Sequence, residues 1–290
     1  MNLQFFGGRG GKSGKKSNNA SSTTLQPSIE LDLIQPKKEY AQDVNEAFNE
    51  MLQDYKQETG ETITENDLKL IEDKMREMTS SDEVHVGIRF QPQYLDAILN
   101  DGRFKSQFET GTSEGYLDTD VRSEFENLSM GYYSFTSPED RPIYGMLFEG
   151  KTAADIKPSQ FGGDFYGGAV AIFKPSVKAH ATVTFEDSLD YDRFLQPSPL
   201  LKPSRYSISS QNYSGFTRFS SFAEFHDLSK GKGRMRIGDF STIDYMETQI
   251  HGGQATIKNI ERIIFPKGTS QSSIPVDLLK KHNIKWNVES

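Results

Sequence analysis

The sequence predicts an α+β fold with an N-terminal helical hairpin, and three observations carry that expectation. Val44, Ala47, Phe48, Met51, Leu52 and Tyr55 recur at helical spacing up to Gly60, and Leu68, Ile71, Met75 and Met78 continue a second apolar stripe. From Val84 onward, short alternating or wholly apolar runs separated by glycines replace that period, which is the texture of strands and turns. Charge divides the chain at the same places: residues 1–29 carry a net +4, residues 30–83 a net −10 and the remainder −2. The expected organisation is a disordered basic tail over 1–29, an acidic helical hairpin over 30–83 and a globular domain over 84–290.

With 290 residues, 34% of them hydrophobic and 26% charged, the chain can bury one substantial core. No run approaches the length of a membrane span, the longest candidate being "GGAVAIF" at 167–173, so no membrane partner is expected. The start "MNLQFFGG" has too short an apolar run for a secretory signal. The absence of cysteine excludes disulfides and thiolate chemistry and fits a cytoplasmic setting. A net charge of −8 argues against a nucleic-acid or membrane footprint over the whole protein.

Taken in order, "GGRGGKSGKKSNNASSTT" offers nothing to bury, hence the disordered tail. Gly11, Lys12 and Ser13 end like a phosphate-binding loop, but position 6, where its first glycine belongs, is Phe. In the hairpin, Thr62 and Glu65 form a capping-box pattern for the second helix, and the acids around both stripes read as a solvated face. "VHVGIRF" (84–90) alternates as a strand with His85, Gly87 and Arg89 on one face. Pro92 then opens a short helix that Gly102 caps. "GRFKSQFETGTSEG" reads as a loop suited to wrapping a polar ligand. "YGGAVAIFKP" (166–175) is a buried strand entered through two glycines, "HATVTFEDS" (180–188) is another, and residues 190–236 show no period. "ATIKNIERIIFP" (255–266) supplies a turn and a buried strand, and a helix falls near 275–282.

The stretch "TIDYMETQIHGG" (242–253) is the informative one. At the strand period it aligns Tyr245, Glu247, Gln249 and His251 on one face, a carboxylate among an aromatic, an amide and an imidazole. That combination suits a ligand cleft better than a solvated surface. If this strand lies near the one at 84–90, one carboxylate meets several hydrogen-bond donors. No two-histidine helical spacing, paired carboxylates or Gly-x-Ser-x-Gly elbow is present, so no metal site is expected.

The series "GRFKSQFETGTSEG", "DRPIYGML", "FGGDFYGG", "KPSVKAHATVTFEDS" and "DYMETQIHGG" resembles a family of bacterial and phage proteins of unknown function, over roughly 84–265. Its layout is similar in turn to the ADP-ribosyltransferase superfamily. There an early strand carries His or Arg, a middle region Tyr or Ser, and a late strand the catalytic Glu. The resemblance implies a split two-sheet core, NAD as substrate, and transfer of ADP-ribose to a macromolecular acceptor, protein or nucleic acid. It implies Glu247 as the catalytic residue, with His85, Arg89, Tyr144, Tyr166, Gln249 and His251 around the dinucleotide. Two positions depart from the pattern: Tyr245 stands where arginine-modifying members have Glu or Gln, and the middle motif is divided among "SFTS" (134–137), Tyr144 and Tyr166.

Each residue also has a plainer reading: Glu247 as a salt-bridge partner, His85 as a core histidine bonded to a carbonyl, Arg89 as a structural cation, and both tyrosines as packing aromatics. "MNLQFF" resembles the starts of phage head and scaffold proteins. The expected function is therefore a phage or prophage effector or toxin acting in the bacterial cytoplasm or packaged in a virion. The alternative is a non-catalytic minor head or internal virion protein docked on phage head proteins.

Overall fold

The strand β1 (Val84–Phe90) is buried at all seven positions and lies near the centre of the sheet, with β2 (Ile143–Glu149) on one side and β3 (Ala169–Phe173) on the other. The structure, a computed structural model, describes residues 37–67, 81–111, 119–133, 135–157, 167–185, 188, 198–199 and 246–289. Five further strands complete the sheet: β4 (Ala181–Phe185), β5 (Ser198–Pro199), β6 (Met246–Ile250), β7 (Ile260–Phe265) and β8 (Lys285–Val288). Their order is β5-β4-β6-β2-β1-β3-β7-β8, antiparallel throughout except for the parallel pair β7 and β8.

This is α+β architecture at the coarse level, but the expected split into two sheets is not met. The strands join into one eight-stranded sheet because β6, late in the chain, inserts between β4 and β2 and pairs with both. Among the described residues, helices are formed by α1 (Lys38–Thr59), α2 (Leu95–Asp101), α3 (Gln107–Thr110), α4 (Thr119–Met130) and α5 (Val276–Lys281), and another begins at 65. No described helix is long and apolar enough to cross a membrane.

Register decides which side chains share a face, since residues directly opposite one another project to the same side. His85 opposes Phe148, Gly87 opposes Met146, Met146 opposes Glu247, and Tyr144 opposes Gln249. His85, Gly87 and Arg89 therefore share a face with Tyr144, Glu247 and Gln249. On the outer side of β6, Thr184 opposes Glu247 and Thr182 opposes Gln249. The opposite face carries Val84, Val86, Ile88 and Phe90 into the main core, where Phe90 meets Phe104 edge-on at 5.9 Å and α2 buries Leu95, Ile98 and Leu99.

Glycine decides two close approaches. Gly167 has φ +89°, and a Cβ there would lie 2.2–2.4 Å from the backbone of Phe90 and Gln91, so the entry to β3 presses directly on β1. At Gly87 a Cβ would meet the Phe148 ring at 2.7 Å and Ile172 at 3.0 Å, the two side chains that close over this position from the neighbouring strands.

Three local expectations are corrected or limited. The capping box falls two residues later than expected: Thr64 and Asp67 bond reciprocally, with the Thr64 amide donating to Asp67 Oδ2 at 2.9 Å and the Asp67 amide to Thr64 Oγ1 at 3.3 Å. The expected ligand loop at 102–115 contains the helix α3, held by a Ser106–Glu109 capping box and the Arg103–Glu109 ion pair, so these polar groups serve the fold. The tail at 1–29 and the second hairpin stripe at 68–78 lie outside the described residues.

Candidate functional site

Two alternating residues of β6 and the residue just past its end build the centre of the site: Glu247, Gln249 and His251 are 2%, 0% and 0% exposed. Burying a polar face costs free energy unless its atoms find partners, and here they find one another. The Gln249 amide donates to Glu247 Oε1 at 2.8 Å and to Thr184 Oγ1 at 3.2 Å, while its carbonyl accepts the Thr182 hydroxyl at 2.7 Å. His251 Nε2 lies 2.9 Å from Thr182 Oγ1, and its Nδ1 lies 2.9 Å from the Tyr132 hydroxyl, with the two rings stacked at 6.0 Å. Burial, with nearby His180 as a lesser cause, lowers the His251 imidazole to about 3, so the ring is neutral at physiological pH.

A second cluster closes over the same face from α4. Glu126 is fully buried and accepts from Arg141 Nη1 at 2.7 Å and from the Tyr144 hydroxyl at 3.0 Å. Burial raises its carboxyl from the ordinary value, while Arg141, Arg122 and Tyr144 act in the opposite direction. The Arg141 guanidinium lies 4.1 Å from the Phe108 ring centroid and also donates to the Tyr133 carbonyl at 3.0 Å. Arg122, one helical turn before Glu126, places its guanidinium 4.0 Å from the centre of the Tyr144 ring and donates to Ser188 Oγ at 3.1 Å. Burial first, and then the neighbouring Glu126, holds the Tyr144 hydroxyl well above its ordinary value.

The sequence-predicted residues are placed unequally. Glu247, Gln249 and His251 form one hydrogen-bonded run, and Tyr144 sits beside it on β2. Arg89 is 2% exposed on the same face of β1. His85 shares that face, but its Nε2 contacts the Gly150 carbonyl at 3.0 Å, the plainer of its two expected roles. The small recess that His85 lines with Asp82, Phe173 and Lys178 includes none of the Glu247 neighbours. Tyr166, Tyr245 and Ser134 lie outside the described residues. Sequence reasoning did not find Arg122, Glu126, Tyr132, Arg141 or Thr182. A signal existed for the first two, which are spaced i, i+4 with opposite charge on a segment that ends at Gly131. Among the described residues no group of three His, Asp or Glu side chains is arranged to hold a metal ion.

Fold and site together define a mixed α/β protein whose single large sheet buries a carboxylate-centred polar network beneath a helix. Residues 89–194 match a family described as a protein of unknown function (DUF3626), a window that holds Arg89, the α4 cluster, Tyr144 and Thr182 but ends before Glu247. Two phage proteins are similar over longer stretches. The Gene 2 protein of Mycobacterium phage D29 is 28% identical over 204 residues, 68% of this chain and 70% of that protein. The Gene 2 protein of Mycobacterium phage L5 is 27% identical over 227 residues, 76% of this chain and 77% of that protein. The chain is thus similar to phage proteins, which meets the expected resemblance at that level.

Proposed function

We propose that the protein transfers ADP-ribose from NAD to a macromolecular acceptor, with Glu247 as the carboxylate beneath the reacting ribose. One observation carries the reading. The early and late segments singled out by the resemblance, and Tyr144 among the three candidates for the middle one, fall on the adjacent strands β1, β6 and β2, where Arg89, Tyr144 and Glu247 share one face. On this reading one continuous sheet stands where the resemblance implies a split core. The donor set suits the dinucleotide: a carboxylate for the ribose, a guanidinium for the pyrophosphate, and an aromatic ring whose face already carries a planar cation at 4.0 Å.

NAD supplies a ribose that becomes oxocarbenium-like as nicotinamide leaves. Glu247 stabilises that charge, and its burial keeps water out. Because Glu247 is 2% exposed, entry of the dinucleotide requires the groups that cover it to move, a gating step of the kind lids perform. The protein acts as a phage or prophage effector in the bacterial cytoplasm or is carried in the virion. The same enclosure favours a second reading, a virion component in which the network is purely structural.

Nicotinamide release separates the two. Purified protein incubated with labelled NAD and host lysate should release nicotinamide and leave ADP-ribose on a protein or nucleic-acid acceptor. No release and no label would support the structural reading.

A further inference from the structure

We propose that Thr182 and Gln249 are positioning residues for the Glu247 carboxylate, acting through a chain of hydrogen bonds whose donors all point from Tyr132 through His251 toward Glu247. The proposal rests on the reading of Glu247 as the reacting group, and the order of the hydrogen bonds rests on that carboxylate being ionised.

That order follows from donor counting. An ionised carboxylate only accepts, so the amide nitrogen of Gln249 must face Glu247 Oε1, and its carbonyl oxygen must face Thr182. A threonine hydroxyl has a single proton, and Gln249 Oε1 takes it at 2.7 Å. Thr182 Oγ1 can then only accept from His251 Nε2, which therefore carries the ring proton. Because the ring is neutral, Nδ1 is bare and accepts the Tyr132 hydroxyl at 2.9 Å. Four hydrogen bonds in series thus share one direction, and each polarises the next.

The chain spans three elements: Tyr132 follows α4, His251, Gln249 and Glu247 come from β6 and its end, and Thr182 lies on β4. All five side chains are buried, Tyr132 the least at 8% exposed. Gln249 is held at both ends, with its carbonyl on Thr182 and its amide shared between Thr184 and Glu247, and a flip would turn its carbonyl oxygen toward the carboxylate. The Glu247 carboxylate sets which end of the amide faces it, Thr182 anchors the other end, and the anchored amide holds Glu247 Oε1 in place.

Two readouts test the proposal, one independent of activity. Long-range nitrogen–proton NMR of His251 should find the Nε2–H tautomer in the wild type and in Thr182→Ser, which keeps the hydroxyl. In Gln249→Met the Thr182 proton is released and turns to His251, so the Nδ1–H tautomer should become populated. Crystal structures of Thr182→Val should show the Glu247 carboxylate displaced or in several rotamers. In the kinetic readout, Thr182→Val and Gln249→Met should lower kcat for nicotinamide release by about 10²-fold with KM little changed, the scale expected when a reacting group is misplaced by about 1 Å, and Thr182→Ser should stay near wild type. An Nδ1–H tautomer in the wild type, a tautomer unchanged in Gln249→Met, or an undisturbed Glu247 in Thr182→Val overturns the chain. A wild type that releases no nicotinamide defeats the functional reading alone, whereas an active wild type whose Thr182→Val variant keeps its kcat defeats the positioning role alone.

Discussion

At the scale of single residues, His251 links the network to pH. Its folded-state value of about 3 lies below the ordinary 6.5, so the unfolded chain binds the extra proton first as the solution is acidified. The stabilisation from keeping this ring neutral is whole above 6.5 and is lost as pH falls toward 3. Across that window stability should fall by about 1.4 kcal/mol per pH unit from this group alone. Denaturant titrations from pH 7 to pH 5 should show a shallower slope in His251→Gln than in the wild type; parallel slopes would show that the ring titrates freely. The Glu126–Arg141 pair gives a second prediction. Arg141→Met strands a carboxylate that is 0% exposed and should cost about 3–5 kcal/mol, whereas the double variant with Glu126→Leu should recover much of that loss. Equal stability of the single and double variants would place the cost elsewhere. The alternation of Glu247, Gln249 and His251 was legible because the strand period is local. Their partners were not, since Thr182 and Tyr132 lie 69 and 119 positions from His251.

Among the elements, those with a strong local signal match closely: β1 spans the seven residues of "VHVGIRF", α1 stops at Gly60 in the left-handed conformation, and α2 ends at Gly102 in the same way. The helix α4 went unread. Its buried side includes Arg122, Glu126 and Ser129 beside Phe125 and Met130, so its inward face is largely polar and lacks the apolar stripe that marks a helix. The four-residue β8 is too short to show a period, and its parallel partner β7 is separated from it by α5. Glycine provides the test at this scale. Gly167→Ala places a methyl group against the β1 backbone at φ +89° and should cost at least about 1–3 kcal/mol, read as a lowered denaturant midpoint. Gly253→Ala shares the positive φ, at +64°, but meets nothing within 4 Å, so it should cost less. Equal losses would mean that φ alone, without the contact with β1, accounts for the effect.

For the whole molecule, the coarse class was legible and the topology was not. The insertion of β6 between β4 and β2 depends on pairing between segments more than 60 residues apart, for which no local pattern exists. That insertion also brings a carboxylate from the end of the chain beside a tyrosine from its middle and onto the same face as an arginine from its early strand. On the proposed function, this convergence serves turnover of NAD. Gln is nearly isosteric with Glu, so Glu247→Gln should keep the fold while removing the charge. The direct measurement is nicotinamide release from NAD by wild type and Glu247→Gln, with thermal midpoints recorded in parallel and Glu261→Gln as the matched control on β7. The wild type and Glu261→Gln should release nicotinamide, Glu247→Gln should do so about 10²- to 10³-fold more slowly, and its midpoint should change little. Release unchanged by Glu247→Gln would contradict the proposed function, as would no release by a folded wild type.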